Sequence, residues 1–113
     1  MNKQFNGRDF QLWDYRVSHG QLLIRSPKSP AENTNVDIVF VGVDYIDSPR
    51  HLSGLRLEEP TDSEVAVVSE RLGRTVDRKA IFILVAQGMR HIVVAVAVKV
   101  AESDMDIFDS PLR

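Results

Sequence analysis

The sequence predicts an α+β domain with mostly antiparallel strands in the order ββ-ββ-α-ββ and one helix near residues 62–72. Two stretches, 10–26 and 81–100, are rich in apolar residues and are interrupted by glycine turns. A third stretch combines a helix start signal with a helix stop signal around 62–72. The pattern leaves open whether the strands form a curled sheet, a sandwich or a small barrel.

The stretch 81–100, IFILVAQGMRHIVVAVAVKV, reads as a hairpin that is apolar on both faces. Gln87 and Gly88 form a two-residue turn, which places Ala86 opposite Met89 and Leu84 opposite His91. One face would carry Ile81, Ile83, Val85, Ile92, Val94, Val96 and Val98, and the other Ala80, Phe82, Leu84, Val93, Ala95 and Ala97.

This hairpin should therefore be central and covered on both sides. We expect the helix to cover the face with Ala95 and Ala97, because small side chains let a helix approach a sheet closely. The Ile81 and Ile83 face offers more apolar surface than the remaining elements cover comfortably. We expect a second copy of the chain to form part of its cover.

The stretch 10–26 reads as a one-sided hairpin with a two-residue turn at His19-Gly20. That register pairs Val17 with Leu22, Tyr15 with Ile24, and Asp14 with Arg25. The predicted core face carries Trp13, Tyr15, Val17, Leu22 and Ile24. The predicted solvent face carries Asp14, Arg16 and Arg25, with Leu23 as an apolar exception.

Residues 36–47 read as one long strand that contains a single glycine, Gly42. An isolated glycine in a strand indicates a bulge, a bend or a close approach of another chain segment. Residues 48–51 (SPRH) are predicted to form a turn. Residues 52–59 (LSGLRLEE) are predicted to form a shorter strand that returns beside it, with Leu55 and Leu57 facing inward. The polar segment 26–35 is a connection within the domain.

The helix prediction rests on agreement between its two ends. Thr61 and Glu64 form the spacing of a capping box, and Asp62 adds negative charge where the helix dipole is positive. Gly73 is a C-terminal stop. Apolar residues recur at helical spacing at Val65, Val68 and Leu72.

The length of 113 residues fits one domain, 1–113, whose ends at 1–8 and 103–113 are mobile or packed back. The chain has no cysteine and no signal-peptide apolar region, so we expect a cytoplasmic protein. The net charge of −2 argues against nucleic-acid or membrane partners. An acidic C-terminal tail and a basic turn after the helix could pair within the domain or across a dimer.

Two sets of residues are candidates for binding. A ligand cavity could be lined by Trp13, Tyr15 and Tyr45, with His91 as a half-buried base if the chain is an enzyme. An anion could be bound by Arg71, Arg74, Arg78 and Lys79. Each set also has a structural explanation, because aromatic residues in strands fill cores and cations complement a helix C-terminus.

The histidines have no metal-ligand spacing and the acidic tail lacks the EF-hand pattern, so we expect no metal and no other cofactor. No catalytic motif is present. The sequence favours a non-catalytic binding or protein-interaction module that forms a homodimer. The partner is then a second copy, another protein or a small molecule. The alternatives are a small-molecule-binding barrel or sandwich with an aromatic cavity and, third, a small enzyme.

Overall fold

A computed structural model describes residues 3–112, within which eight strands, one α-helix and two short 3-10 helices form. The α-helix is α1 (Asp62–Leu72). The strands are β1 (Lys3–Arg16), β2 (Gln21–Ser26), β3 (Asn35–Val41), β4 (Tyr45–Asp47), β5 (His51–Glu58), β6 (Ile81–Ala86), β7 (Met89–Val94) and β8 (Ala97–Ser103). The predicted α+β class with one helix is confirmed.

All strands belong to one antiparallel sheet in the order β4-β7-β6-β5-β1-β2-β3-β8. The sheet is not closed, because its edge strands β4 and β8 do not pair. The chain nevertheless connects the two ends of the sheet. β3 and β8 lie at one end of the strand order and β4 and β7 at the other, yet β3 is followed directly by β4, and β7 by β8. The junctions are linked by hydrogen bonds from Asp44 N to Val94 O (2.8 Å) and from Val96 N to Val41 O (2.9 Å). The sheet is therefore curled around an interior.

Gly42 breaks the single strand expected at 36–47. Its φ of +67° bends the chain between β3 and β4, which lie near opposite ends of the strand order. A Cβ at this position would lie 2.6 Å from Val96 Cγ2, so the two segments also approach closely. The expectation of a bend or close approach is confirmed, whereas the continuous strand is wrong.

The return strand β5 pairs with β1 and β6 rather than with the strand that precedes it. Leu55 and Leu57 face inward as expected and are buried. β1 is also longer than expected, because it begins at Lys3 and pairs with β5 along the segment assigned to an N-terminal tail. Residues 1, 2 and 113 of the expected tails lie outside the described residues.

The β6–β7 hairpin has the predicted register. Ala86 pairs with Met89 and Leu84 with His91. Gln87 and Gly88 have φ values of +51° and +75°, the positive values that a two-residue hairpin turn requires.

The interior of the curled sheet is one hydrophobic core. Rings from strands far apart in the order meet there, with the centroids of Phe40 and Phe82 5.5 Å apart. The buried residues of this core are Phe10, Leu22, Ile24, Val36, Ile38, Phe40, Leu52, Leu55, Leu57, Leu84, Ala86, Val93 and Ala95. The strands thus cover one face of the β6–β7 hairpin themselves.

The helix covers the other face, which corrects the expected arrangement. Val68 of α1 packs with buried Ile81, Ile83 and Val94, and not on the face that carries Ala95. The curled strands already fill the Phe82 side, so only the branched outer face remains for the helix. Most of the surface that suggested a second copy, including Ile81, Ile83 and Val94, is therefore buried within the chain.

The strand after Val94 does not continue in the predicted alternation. Val96 is 78% exposed, and Val98 packs against the interior core together with Val100. The break between β7 and β8, at Ala95 and Val96, lies opposite the bend at Gly42. It reverses which residues of the following strand face inward.

The first hairpin forms with a different turn. Val17–His19 is a short 3-10 helix, so Tyr15 pairs with Leu22 and Asp14 with Leu23. A bulge between Leu12 and Asp14 accommodates the shift. Tyr15 and Val17 are consequently exposed rather than in the core.

The solvent face predicted for this hairpin is wrong at β2. Leu23 and Arg25 point away from the interior core, yet both are fully buried. A further chain segment must therefore cover the outer side of β2.

The ends of α1 are as predicted. Glu64 N donates to Thr61 Oγ1 (3.1 Å) and Thr61 N donates to Glu64 Oε1 (2.9 Å), which completes the capping box. Gly73 ends the helix in the left-handed conformation. Neither α1 nor either 3-10 helix in residues 3–112 has the length and hydrophobicity needed to cross a membrane.

Gly42→Ala should destabilise the fold more than Gly73→Ala. Both glycines have a φ of +67°, but an added Cβ overlaps Val96 only at Gly42 and meets open space at Gly73. We expect Gly42→Ala to cost about 1–3 kcal/mol more, measured by urea unfolding. Val96→Ala in the Gly42→Ala background should recover part of the loss. Equal losses for the two alanine variants would contradict the close approach.

Candidate functional site

The guanidinium of Arg25 is fully buried and uses all five of its N–H donors. Nε and Nη2 donate to the two carboxylate oxygens of Asp37, at 2.7 and 3.0 Å. Nη1 donates to the carbonyls of Ile107 (3.1 Å) and Asp109 (2.7 Å), and Nη2 also contacts Met105 Sδ at 3.3 Å. The guanidinium carbon lies 5.6 Å from the centroid of the Trp13 ring.

The C-terminal tail, residues 104–112, is the segment that covers the outer side of β2. Its main-chain carbonyls are also held by the Lys28 ammonium, which donates to Asp104 O (2.6 Å), and by the Asn35 amide, which donates to Met105 O (3.0 Å). Leu112 is buried at the end of the tail. The main chain of the tail is thus fixed at several points along its length.

Phe108 is displayed by this anchored tail. Its side chain is 88% exposed, although Arg25 holds the carbonyls of the residues immediately before and after it. Phe108 N donates to Asp106 Oδ1 and Asp109 N donates to Asp106 O, both at 2.9 Å, which closes a tight turn. An aromatic side chain therefore projects from a fixed main chain into solvent.

The acidic side chains of the tail do not pair with the basic turn of the same chain. Among residues 3–112, the carboxylates of Asp104 and Asp109 have no ion-pair partner. The intramolecular pairing of tail and basic turn is therefore not formed.

Most of the predicted anion-binding residues are occupied by carboxylates. Arg71 donates to the Tyr45 hydroxyl (2.6 Å) and to Asp47 (3.2 Å), and Arg74 pairs with Asp44. The hydrogen bond to Tyr45, followed by the bond to Asp47, raises the pKa of Arg71. These arginines attach the end of α1 to the region of β4 and do not form a shared anion site.

Arg78 and Lys79 do lie together, beside a cleft of about 260 Å³. β5 and β6 pair only through Arg56–Glu58 and Ile83–Val85 and then separate, which opens the cleft. We call it the β5–β6 cleft, and its lining residues are Leu57, Glu58, Glu59, Pro60, Arg78, Lys79, Ile81 and Phe82. Its walls are mostly apolar and its rim carries charges of both signs.

The acidic rim of this cleft is partly neutralised by Arg90. The guanidinium donates to Glu58 Oε1 and, through two nitrogens, to both carboxylate oxygens of Glu64, each at 2.9 Å. Bonds from Arg90 and then Arg56 lower the pKa of Glu58, and Arg90 also lowers the pKa of Glu64. The two carboxylates raise the pKa of Arg90 in turn. The cluster ties the start of α1 to β5 and β7.

Arg78, on the basic side of the rim, donates to the Pro60 carbonyl (3.2 Å) and pairs with Asp62. The Lys79 ammonium has no ion-pair partner among residues 3–112.

The four predicted ligand-binding residues are not brought together. Trp13 is half-buried beside Arg25, and Tyr15 is exposed on the same strand. Tyr45 packs against the helix-side core, and His91 lies opposite Leu84 in the β6–β7 hairpin. None of these residues lines the clefts described here.

A second cleft, of about 380 Å³, lies between the tail and the outer side of β3 and β8. We call it the tail cleft. It is lined by Gln21, Asp37, Val39, Val41, Lys99, Ala101, Ser103, Met105 and Pro111.

The pair formed by Arg25 and Asp37 is not among the features predicted from the sequence. A signal was present, because each is a lone charge within an otherwise apolar strand segment, LLIRS and NVDIVF. Such charges are rarely buried unless they are paired. Their pairing becomes evident only when β2 and β3 are aligned, as they are with Arg25 opposite Asp37.

Comparison of the chain with protein-family models, curated proteins and solved structures found no match. Within residues 3–112, no group of three or more His, Asp or Glu side chains is arranged to hold a metal ion.

Arg25→Met should destabilise the protein by about 3–5 kcal/mol, because it leaves the Asp37 carboxylate buried without a partner. Urea unfolding measures the loss. The double variant Arg25→Met/Asp37→Leu should recover much of it. Arg16→Met, which removes an exposed pair with Asp14, should cost less than about 1 kcal/mol. Similar losses for Arg25→Met and Arg16→Met would show that the buried pair does not have this role.

Arg90→Gln should reduce the loss of stability in acid. Glu58 and Glu64 have folded pKa values below the ordinary value of 4.5, so the unfolded chain takes up protons first as the pH falls. The stabilisation is complete above that value and disappears as the pH falls through the folded pKa values. We expect the urea midpoint to drop less between neutral pH and about pH 3 in Arg90→Gln than in the parent. The parent and the exposed-site control Arg50→Gln should behave alike. An equal drop in Arg90→Gln would contradict the coupling.

Proposed function

We propose that this chain is a non-catalytic protein-interaction module that self-associates, with the C-terminal tail as its binding element. The observation that carries the proposal is the 88% exposure of Phe108 on a main chain held by Arg25 on both sides. Aromatic residues often dominate the binding energy of protein interfaces. A fixed main chain reduces the entropy that must be lost when such a residue binds.

The arrangement of polar groups supports a binding role over catalysis. Asp9, His51 and Ser53 line a shallow cleft, but the Ser53 hydroxyl donates to Asp9 (2.8 Å) rather than to the histidine that a nucleophile would need as a base. The carboxylates at the rim of the β5–β6 cleft include Glu58, which is held by two arginines. Such groups serve better to fix structure than to exchange protons.

A second copy of the chain is the partner that we propose, on grounds that differ from those of the sequence. The Ile81 and Ile83 face is buried by α1 and gives no reason for a dimer. The tail gives another reason, since an exposed aromatic residue and unpaired carboxylates occur on the same short segment. Symmetric dimers are the commonest oligomers.

Sedimentation velocity from low to high micromolar concentration tests this proposal. The parent should show a concentration-dependent dimer. Phe108→Ser should raise the dissociation constant about 30-fold, which corresponds to a hot-spot loss of about 2 kcal/mol. Val96→Ser is the matched control, because Val96 is a comparably exposed apolar residue at 78% and lies outside the tail. A monomeric parent, or equal behaviour of the two variants, would overturn the proposal.

Small-molecule binding in the tail cleft is a second candidate. It is favoured by the volume of about 380 Å³ and by the partial cover that Met105 and Pro111 provide. A ligand there should raise the melting temperature by an amount that grows with the logarithm of the ratio of its concentration to its dissociation constant. The effect should weaken in Lys99→Gln if the ligand is an anion.

A further inference from the structure

We propose that the β5–β6 cleft of one copy receives Phe108 of the other, in a reciprocal two-fold dimer. This inference rests on the proposed self-association and names the surface that performs it. A phenyl ring is a suitable occupant because the cleft, of about 260 Å³, has walls formed by Leu57, Pro60, Ile81 and Phe82. Aromatic side chains bury about 150–250 Å² each and prefer to contact other rings at an edge or with an offset.

Charge complementarity between the tail and the rim supports the pairing. Asp109 follows Phe108 directly, and neither Asp109 nor Asp104 has an ion-pair partner among residues 3–112. The Lys79 ammonium on the cleft rim likewise lacks one within that range. Opposite unpaired charges thus flank the apolar group on the tail and the apolar walls of the cleft, an arrangement that steers and orients association.

Part of the acidic side of the rim is compensated within the chain. Glu58 is held by both Arg56 and Arg90, so much of its charge is compensated within the chain. Phe108 would therefore enter with its carboxylate neighbours on the Lys79 side of the cleft. Arg78 lies on that same side but already pairs with Asp62.

The tail of the same chain is an unsuitable occupant. Arg25 on β2 holds the carbonyls on both sides of Phe108, whereas the cleft lies between β5 and β6. Releasing the tail would leave the buried guanidinium without three of its acceptors, and unpaired buried donors are costly. A second copy can fill the cleft while both tails remain attached to their own chains.

Charge-reversal variants, mixed in pairs, test the inference on the full chain. Lys79→Glu and Asp109→Lys should each raise the dissociation constant of the homodimer at least about tenfold, because each contact then places like charges together. The Asp109→Lys change keeps the carbonyl that Arg25 binds. Arg50→Glu, at an exposed site outside the cleft and tail, is the charge-matched control and should have little effect.

Mixing the two single variants should restore a dimer of nearly parental affinity. One contact of the mixed dimer then retains both parental residues, and the other joins the two reversed charges. Pairing within one chain would give no such rescue on mixing. Weakening by Phe108→Ser without any effect of Lys79→Glu or rescue on mixing would overturn the cleft as acceptor while leaving self-association intact. A parent that stays monomeric would overturn both proposals.

Discussion

The buried guanidinium of Arg25 is the interaction on which the outer half of the structure depends. It lies on a strand whose two faces are both covered, and its five donors are satisfied only if Asp37 and the C-terminal tail are in place. A guanidinium cannot give up its charge, so partial satisfaction would be costly in the protein interior. The pairing of β2 with β3, the burial of Leu23 and the course of the tail are therefore linked through one side chain.

The inner half depends on the curvature of the sheet. The bend at Gly42 lets one continuous chain segment pair with β8 before the bend and with β7 after it. The strands consequently surround a core of their own, and the helix is left to cover the convex side of β6 and β7. Both faces of the apolar hairpin are buried by the same chain. The self-association that we propose must then use a surface other than the hairpin.

Features set by neighbouring residues were predictable from the sequence. The capping box of Thr61 and Glu64 and the turn at Gln87-Gly88 each depend on a few adjacent residues, and both form as predicted. Features set by distant pairing were not predictable. Nothing local indicates that β5 pairs with β1. The first hairpin is an exception among the local features, because a 3-10 helix at Val17–His19 and a bulge next to Trp13 replace the expected two-residue turn and register.

The same distinction applies to the candidate sites. Arg78 and Lys79 are adjacent in sequence and line one cleft. Arg71 instead binds Tyr45 and Asp47, which belong to a strand distant from it in sequence. The solvent-facing role predicted for Arg25 was wrong because its cover comes from residues more than eighty positions away. Local alternation indicates which face a side chain occupies, but not whether a remote segment covers that face.

Arg25 fixes the tail and so displays Phe108 from a rigid main chain. Backbone ¹⁵N relaxation of the Phe108 amide, measured at a concentration where the protein is monomeric, tests it most directly. If Arg25 has this role, the order parameter should lie near the rigid-backbone value of about 0.85, similar to those of the sheet residues. A value below about 0.6 would show a flexible tail on the picosecond to nanosecond timescale and would contradict the account.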